Sequence, residues 1–542
     1  MEEVELEYKM SDIKLLDCTL RDGGYLNDWK FDKDNIVNVF ERLVSADIDI
    51  VEVGFIDERR EYDSDRTIYP DTAAINRSLG ALDKGNSIVV GMIDYGTCGI
   101  DKIEPCSESF LDGIRVIFKK HKMHEAIDFC AKIKALGYKV FAQAVSITSY
   151  NDEELKELIG LVNELEPFAF SLVDTYGLLH RSGLHHYFDF ATANLKNNIA
   201  IGYHAHNNFQ LAYANCVELL QNPPKDRTLI VDGTLYGMGK SAGNTPIELL
   251  AMYYNENIAK RYHNSQLLEA IEVTILDIRK TLSWGYGFKF FLSASHDCHP
   301  NYVDYLMDKK KLSIKSIGEI LDRLEGEKKL LYDADYIAEL YLDYQKNDCD
   351  DSSDMAAIKS MLKGQDILIM GPGQNIYKQR DKVTEYIEVK NPVTIAINFI
   401  PDGYGINYIF MSNAKRYVQL SSKLSEEKNR SRLIATSNIT KTKGEFDYTL
   451  NYSNLLDEEA LMPDNPMIML LRVLKDCKVK SVALAGFDGY SETSVPNYVN
   501  PNMEYSMSTN LAESINKDVI EGIRKLKLPY ELRYVTDSKY GK

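Results

Sequence analysis

The stretch Ile13–Phe55, IKLLDCTLRDGGYLNDWKFDKDNIVNVFERLVSADIDIVEVGF, holds one complete unit of a pattern that organises the first half of the chain. An apolar run, Ile13–Asp17, ends in an acidic, arginine-bearing, glycine-rich turn. An amphipathic stretch, Lys33–Ser45, follows, and then a second apolar run, Ile48–Gly54. Near-continuous apolar strands alternating with helices are the signature of parallel β/α units, whose strands are covered on both faces. Working outward, further strands are predicted at Ser87–Met92, Gly113–Phe118, Lys139–Val145, Phe168–Val173, Ile199–Tyr203 and Thr228–Asp232. Amphipathic stretches such as Lys122–Ala135, Asp152–Leu165 and Gln210–Leu220 lie between them. Eight evenly spaced units over roughly 250 residues predict an α/β (β/α)8 barrel, here assigned to residues 11–262, over an open doubly wound sheet.

Beyond the barrel, residues 263–345 read as a helical extension or lid, interrupted by the aromatic segment WGYGFKFFLSASHDCHPNY, Trp284–Tyr302. The acidic, serine-containing run KNDCDDSSD, Lys346–Asp354, marks a linker over 346–364. From 365 to 542 a smaller Rossmann-like α/β domain is expected. It opens on DILIM and has strands at Val393–Phe399, Tyr408–Met411, Ser431–Thr436, Val482–Ala485 and Glu531–Val535.

Composition excludes several classes. The net charge of −18 argues against nucleic acid or an anionic membrane as the main partner. The start, MEEVELEYKM, lacks the basic and apolar regions of a secretory signal, and no apolar run approaches the length of a membrane span. Eight scattered cysteines without a CxxC pair read as reduced thiols, and the expected location is the cytoplasm.

Active residues of a (β/α)8 barrel sit at the C-terminal ends of its strands. Collected there are Arg21 and Asp22 after the first strand, Glu52 in the second, Asp174 after the sixth, and His204 and His206 on the seventh. After the eighth come Asp232 and the turn GMGKSAGN, ending in Asn244, with Glu248 four residues on. Residues i and i+2 of a strand face one side, so His204 and His206 point together, about 7 Å apart along the chain. They either cap the strand with hydrogen bonds or share a divalent cation, with Asp22 and the Asn244 amide oxygen as hard ligands. Mixed nitrogen and oxygen ligation with open positions suits Mn²⁺, Mg²⁺, Fe²⁺ or Zn²⁺. Arg21 is either an ion-pair partner of Glu52 or Asp174, or a fixed cation that stabilises an enolate oxygen. Gly23 and Gly24 permit close approach of backbone to a ligand.

LDCTLRDG (Leu16–Gly23), HAHNNFQLAYAN (His204–Asn215) and DGTLYGMGKSAGNTPIE (Asp232–Glu248) together resemble the DRE-TIM metallolyase superfamily. That group includes hydroxymethylglutaryl-CoA lyase, 4-hydroxy-2-oxovalerate aldolase, and the isopropylmalate and homocitrate synthases. The resemblance covers about half the chain and is closest to the 4-hydroxy-2-oxovalerate aldolase branch. It implies that Asp22, His204, His206 and Asn244 hold a divalent metal, Mn²⁺ or Mg²⁺, and that Arg21 stabilises a pyruvate-type enolate. Glu52 and Glu248 match supporting positions. Two departures stand out. The condensing synthases carry an acidic–arginine pair where this chain has Lys240 and Ser241. The aldolase branch carries an acid/base histidine where this chain has Tyr25. A phenol, with an ordinary pKa of about 10, donates a proton at pH 7 more readily than it removes one. His296, His299 and Tyr302 are further candidates, as lid residues or as parts of a packed helical segment.

In the C-terminal domain, ILIMGPGQNI and VALAGFDGY are strands ending in glycine turns, with candidate nucleotide-binding residues Gly371, Gly373 and Asp488. Backbone N–H groups at such a turn can hold a phosphate, although the GxGxxG spacing is absent. These stretches faintly resemble nucleotide-binding domains of sialyltransferase-like surface-glycan proteins. The expected activity is a metal-dependent aldolase joining or cleaving a 2-oxo acid and an aldehyde, in a homo-oligomer, with surface polysaccharide or sugar-acid metabolism as its setting. A Claisen-type acyl-CoA condensing transferase, or a barrel fused to a nucleotide-binding scaffold, are the alternatives.

Overall fold

The computed structural model describes residues 12–427, 431–439, 446–491, 497–500 and 508–541. The acidic start lies outside them. The chain forms two compact units that meet in sequence at Pro300 and Asn301.

The first unit is the expected barrel. Its strands are β1 (Ile13–Asp17), β2 (Ile50–Ile56), β3 (Ile88–Asp94), β4 (Gly113–Phe118), β5 (Lys139–Ala144), β6 (Ala169–Asp174), β7 (Ala200–Ala205) and β8 (Leu229–Gly233). Neighbours pair in parallel in the order 1-8-7-6-5-4-3-2, and β1 closes the ring onto β2 with Leu16 opposite Ile50. The helix Lys33–Ser45 shows why the alternation folds this way. It buries Ile36, Val39, Phe40 and Leu43, an i, i+3, i+4, i+7 stripe, against the sheet. Asp152–Leu165 begins at a capping box made by Asn151 and Glu154. The β3–β4 crossover departs from the pattern, because among the described residues it holds only short turns at Ile100–Lys102 and Cys106–Glu108.

Inside the barrel the period of two separates chemistry into layers. Leu16, Ile50, Val90, Phe141, Ala169, Ala200 and Ile230 form an apolar plug. Two residues further along their strands come Glu52, Gln143, Ser171 and Asp232, joined by Arg115 of β4, all at 2% exposure or less. One step beyond on β7 is His204. The plug keeps water from the base of the polar layer, so its charges satisfy one another.

Among its described residues the second unit carries seven all-parallel strands: β9 (Asp366–Met370), β10 (Val393–Ile397), β11 (Tyr408–Met411), β12 (Arg432–Thr436), β13 (Tyr448–Leu450), β14 (Ser481–Ala485) and β15 (Glu531–Tyr534). Their order is 13-12-11-10-9-14-15. β13 was not expected from the sequence, because it is only three residues long. The sheet is doubly wound, with apolar clusters that separate the alternating residues of each strand, such as Ile367 and Ile369 from Leu368 and Met370.

Two expected boundaries are corrected. The extension over 263–345 is not one element. Leu267, Ala270, Ile271, Ile275 and Trp284 belong to the barrel core, whereas Ile314–Leu321 and Ala334–Gln345 fall in the second unit. The expected linker over 346–364 contains the helix Ser352–Leu362, whose Ile358 and Leu362 are buried in the core. Its acidic residues are structural, since Asp351 and Asp354 accept the N–H groups of Asn451 and Thr449 beside edge strand β13. Among the described residues no helix is long and apolar enough to cross a membrane, and all eight cysteines are free thiols.

Candidate active site

The turn after β1 places Arg21 and Asp22 under the barrel mouth, both nearly inaccessible to solvent. Thr19 holds this turn through its N–H and hydroxyl, both donated to Asp17. Across from it, β7 presents His204 and His206 with their rings 5.2 Å apart. Both Nε2 atoms face one oxygen: His204 Nε2 lies 3.8 Å and His206 Nε2 3.9 Å from Asp22 Oδ2.

The far side of each ring is anchored. His204 Nδ1 lies 3.0 Å from Asp232 Oδ2, and His206 Nδ1 lies 3.1 Å from the Lys240 carbonyl. A carbonyl oxygen only accepts, so His206 carries its proton on Nδ1 and directs the Nε2 lone pair inward. Burial pulls the His206 pKa down to about 3, which keeps the ring neutral and able to ligate. Burial also opposes ionisation of Asp22, but Arg21, His206 and His204 outweigh it and hold the carboxylate well below its ordinary range.

These three ligand atoms lie within 4.8 Å of one another, all buried. Asn244 donates to Asp22 Oδ2 and leaves its own Oδ1 buried without a partner. Two inward lone pairs, one ionised carboxylate and an orphaned amide oxygen fit a hard or borderline divalent cation, with both histidines oriented by acceptors behind them. The loop that delivers Asn244 needs glycine at Gly239, where a Cβ would come 2.6 Å from Asn244 Nδ2 and 3.0 Å from Asp22 Oδ2. The alternative group Cys18, His204 and Asp232 is a poor ligand set, because burial keeps the Cys18 thiol protonated and Asp232 is already paired with Arg115.

The ion-pair and enolate readings of Arg21 are compatible. Its Nε binds Glu52 Oε2 at 2.8 Å and its Nη1 binds Asp22 Oδ1 at 2.9 Å, while among the described residues Nη2 has no hydrogen-bond partner. Arg115 was missed in the sequence. It is fully buried, 3.1 Å from Glu52 Oε2 through Nη1, and it also binds Asp232 and Gln143. The signal was a lone charge inside the apolar strand GIRVIF. Asp22, Arg21, Glu52, Arg115, Asp232 and His204 thereby form a run of ion pairs and hydrogen bonds that becomes a ring across the candidate metal site, between Asp22 and His204.

Other expected site residues fall into different places. Asp174 spends its carboxylate on the N–H groups of Leu178 and Leu179, and burial lifts its pKa to about 6. Glu248 accepts the Tyr236 N–H and is lifted by burial to about 7. Both shape mouth loops. Gly24 makes room for a ring rather than a ligand, since a Cβ there would lie 2.0 Å from Trp29. Tyr25 packs against Trp29 and Phe55, with ring centroids 4.9 and 5.9 Å away. Its ring is partly exposed, but desolvation of the hydroxyl, with Asp22, Asp94 and Glu52 nearby, raises the phenol further, so it stays protonated.

The aromatic segment after the barrel lies on three mouth loops. Trp284 donates to the Tyr236 carbonyl, Phe291 packs on Phe209, and His299 meets Tyr176 with ring centroids 6.4 Å apart. His296, half-buried, lies just past the helix Phe288–Ser295. Tyr302 does not join them. It is fully buried in the second unit, where its hydroxyl meets the Lys328 and Leu331 carbonyls.

In the second unit the glycine turn does not present its N–H groups to a ligand. Gly371 and Gly373 donate to Ala485 and Gly486, and Asn375 donates to Asp488. A Cβ at Gly373 would come 2.5 Å from the Gly486 carbonyl, so these glycines serve to seat two loops against each other. The expected phosphate cradle at Gly371 and Gly373 is thus occupied by the protein itself, with the Asp488 carboxylate where an anion would sit.

Asp17 gives a pH test of the turn. Burial lifts its pKa to about 7, against an unfolded value of about 4. A carboxyl raised on folding binds its proton more tightly when folded, so wild-type stability falls as pH rises through that window and levels off above it. Asp17→Asn is therefore expected to gain on wild type progressively between pH 4 and 7 in urea unfolding. A difference constant with pH would refute the assignment.

Fold and site together define a (β/α)8 barrel with a buried carboxylate and bis-imidazole centre at its mouth. Residues 12–275 match the HMGL-like family model, and the barrel of this chain is an HMGL-like domain. It is similar to 4-hydroxy-2-oxovalerate aldolase 6 of Rhodococcus jostii, 22% identical over 49% of this chain and 74% of that protein. It is also similar to 4-hydroxy-2-oxovalerate aldolase of Geobacillus thermodenitrificans, 24% identical over 51% and 82%. Among solved structures, HMG-CoA lyase of Bacillus subtilis is 16% identical, over 51% of this chain and 94% of that one, with a TM-score of 0.40. The superfamily contains lyases, aldolases and condensing enzymes that use a divalent metal.

Proposed function

We propose that the barrel is a divalent-metal-dependent aldolase that makes or breaks a C–C bond between a 2-oxo acid of the pyruvate type and an aldehyde. The observation that carries this reading is the convergence of both inward Nε2 atoms on Asp22 beside the Arg21 guanidinium. Asp22, His204 and His206, with the Asn244 oxygen, would hold Mn²⁺ or Mg²⁺. When bound, such an ion polarises a keto oxygen as a Lewis acid and orients the 2-oxo acid. Arg21, fixed by Glu52 and Asp22, directs its remaining Nη2 to the oxygen on which enolate charge develops. Tyr25, protonated and 40% exposed at the mouth, is placed to donate a proton to an alkoxide. Metal-dependent exchange of the pyruvate methyl protons in D₂O, followed by NMR, tests the enolate step. Release of free thiol from acetyl-CoA and a 2-oxo acid would favour a condensing enzyme instead.

The second unit supports a ligand-binding role beside the barrel. Its chain leaves β9 to one side for β10, while β14 lies on the other, and crevices at such switch points bind ligands in open α/β sheets. A cleft lies there, lined by Gly373, Asn398, Ser412, Asn413, Arg416, Asp488 and Tyr498 among others. Side chains of Asn398, Asn413 and Arg416, rather than the glycine turn, are the proposed contacts to a nucleotide or nucleotide-sugar. Calorimetric titration of the full chain with a nucleotide panel should give heat that Arg416→Ala removes. A panel without heat would end this reading.

A further inference from the structure

The turn GMGKSAGN does more than deliver Asn244. Its Lys240 carbonyl holds the proton of His206 Nδ1, and its side chain turns back over the mouth. There the half-buried Lys240 ammonium sits over the face of Tyr25, 5.2 Å from the ring centroid. Among the described residues no carboxylate oxygen lies within 4.0 Å of it, and its Nζ makes no hydrogen bond. The charged groups that act on it are Asp22 and Asp94, which favour its charge, and Arg21 and Lys119, which oppose it. A ring face is a weak partner for an ammonium deprived of water.

Asp22 is committed elsewhere, to Arg21, Asn244 and the space between the two histidines. A divalent cation on Asp22 would cancel the first of the two attractions that Lys240 feels. Arg21 keeps Glu52, which leaves Lys240 and Lys119 facing the Asp94 carboxylate at the end of β3, beside the Arg59–Asp57 pair. Such a surface calls for an anion from the substrate. Under the reading proposed above, on which this inference rests, the 2-oxo acid is the substrate that Asp22, His204, His206 and Arg21 would orient, which leaves the acceptor aldehyde to supply an anion for Lys240. The ring beneath the ammonium is 40% exposed, so Lys240 marks the outer part of the mouth, where the far end of the second substrate enters.

We propose that Lys240 anchors an anionic group, carboxylate or phosphate, on the acceptor aldehyde and makes this barrel select acidic aldehydes. Lys240 takes no part in bond making. Its ammonium fixes the end of the acceptor remote from the carbonyl carbon that the enolate attacks. A buried charge-assisted hydrogen bond of this kind corresponds to a preference of about 10- to 100-fold.

The test compares condensation of pyruvate with butanal, succinic semialdehyde and glyceraldehyde 3-phosphate, by the metal-loaded full chain. Wild type is expected to prefer one of the two acidic aldehydes over butanal by at least about 10-fold in kcat/KM, and the preferred one names the anion. Lys240→Met should collapse that preference, chiefly through KM, and Lys240→Arg should restore most of it. Equal losses for neutral and acidic aldehydes in Lys240→Met would overturn the proposal. Binding separates this inference from the aldolase reading. If wild type condenses no aldehyde, the aldolase reading falls. Titration with succinate and inorganic phosphate then decides the role of Lys240. Weaker anion binding in Lys240→Met but not in Lys240→Arg upholds it, and equal affinities in all three proteins refute it.

Discussion

Under the proposed aldolase reading, Asp22→Ala is expected to abolish metal-dependent exchange of the pyruvate methyl protons and to lower Mn²⁺ affinity by more than about 100-fold, beyond the cost of losing an outer-shell partner of a ligand. The expectation follows from what Asp22 does at once. It is the only carboxylate in the triad, with both histidine Nε2 atoms within 3.9 Å of one of its oxygens. Its other oxygen neutralises Arg21 at 2.9 Å. Alanine leaves two imidazoles and no carboxylate ligand beside a guanidinium that keeps only one of its two ion pairs, the one to Glu52, so the site holds a cation poorly. Asp22→Asn keeps the volume and loses the charge, so it should fall between wild type and alanine. Calorimetric Mn²⁺ titration reads the affinity and NMR reads the exchange. Wild-type affinity in Asp22→Ala would show that the metal, if one is used, is held elsewhere.

Arg115→Met is expected to destabilise the barrel by about 3–5 kcal/mol, the usual cost of removing one partner from a buried ion pair. Arg115 is fully buried and lies between Glu52 and Asp232, themselves almost without solvent contact. Methionine fills similar space but leaves two buried carboxylates with one fewer counter-charge. Arg21 still serves Glu52, whereas Asp232 keeps only His204. The damage should therefore reach function. Without Arg115, Asp232 is drawn toward protonation, His204 loses the acceptor that orients it, and metal affinity falls as well. Urea unfolding of Arg115→Met beside Glu52→Gln measures the stability. A loss below about 1 kcal/mol, the level of an exposed pair, would mean the run of ion pairs carries little energy.

Much of the barrel was legible because its signals are local. The helix Lys33–Ser45 and the strands Ile13–Asp17 and Gly113–Phe118 begin and end where the apolar periodicity does. Asp22, His204 and His206 were legible for a related reason. The strand period and the rule that barrel chemistry sits at strand ends place them on one rim without knowledge of any distance. Arg115 was not legible, because a single charge in a strand says nothing about which carboxylates surround it 63 residues before and 117 after in the sequence. Tyr302 was misplaced for the converse reason. It is adjacent in sequence to the mouth-facing segment, yet it packs into the second unit. The acidic run at Lys346–Asp354 looked like a linker because composition alone cannot show that Asp351 and Asp354 accept hydrogen bonds from backbone N–H groups at an edge strand.

Sequence by itself determined the β/α alternation, the barrel and the rim position of the metal-ligand candidates. Those follow from periodicity and order along the chain. The tertiary structure alone decided three things: the run of ion pairs through Arg115, the use of the second unit's glycine-turn N–H groups by the protein's own carbonyls and Asp488, and the half-buried Lys240 ammonium with a ring face beneath it. Each depends on which partners arrive from distant segments. The free energy of a buried charge is set by those partners and by the exclusion of water, neither of which is written in local sequence.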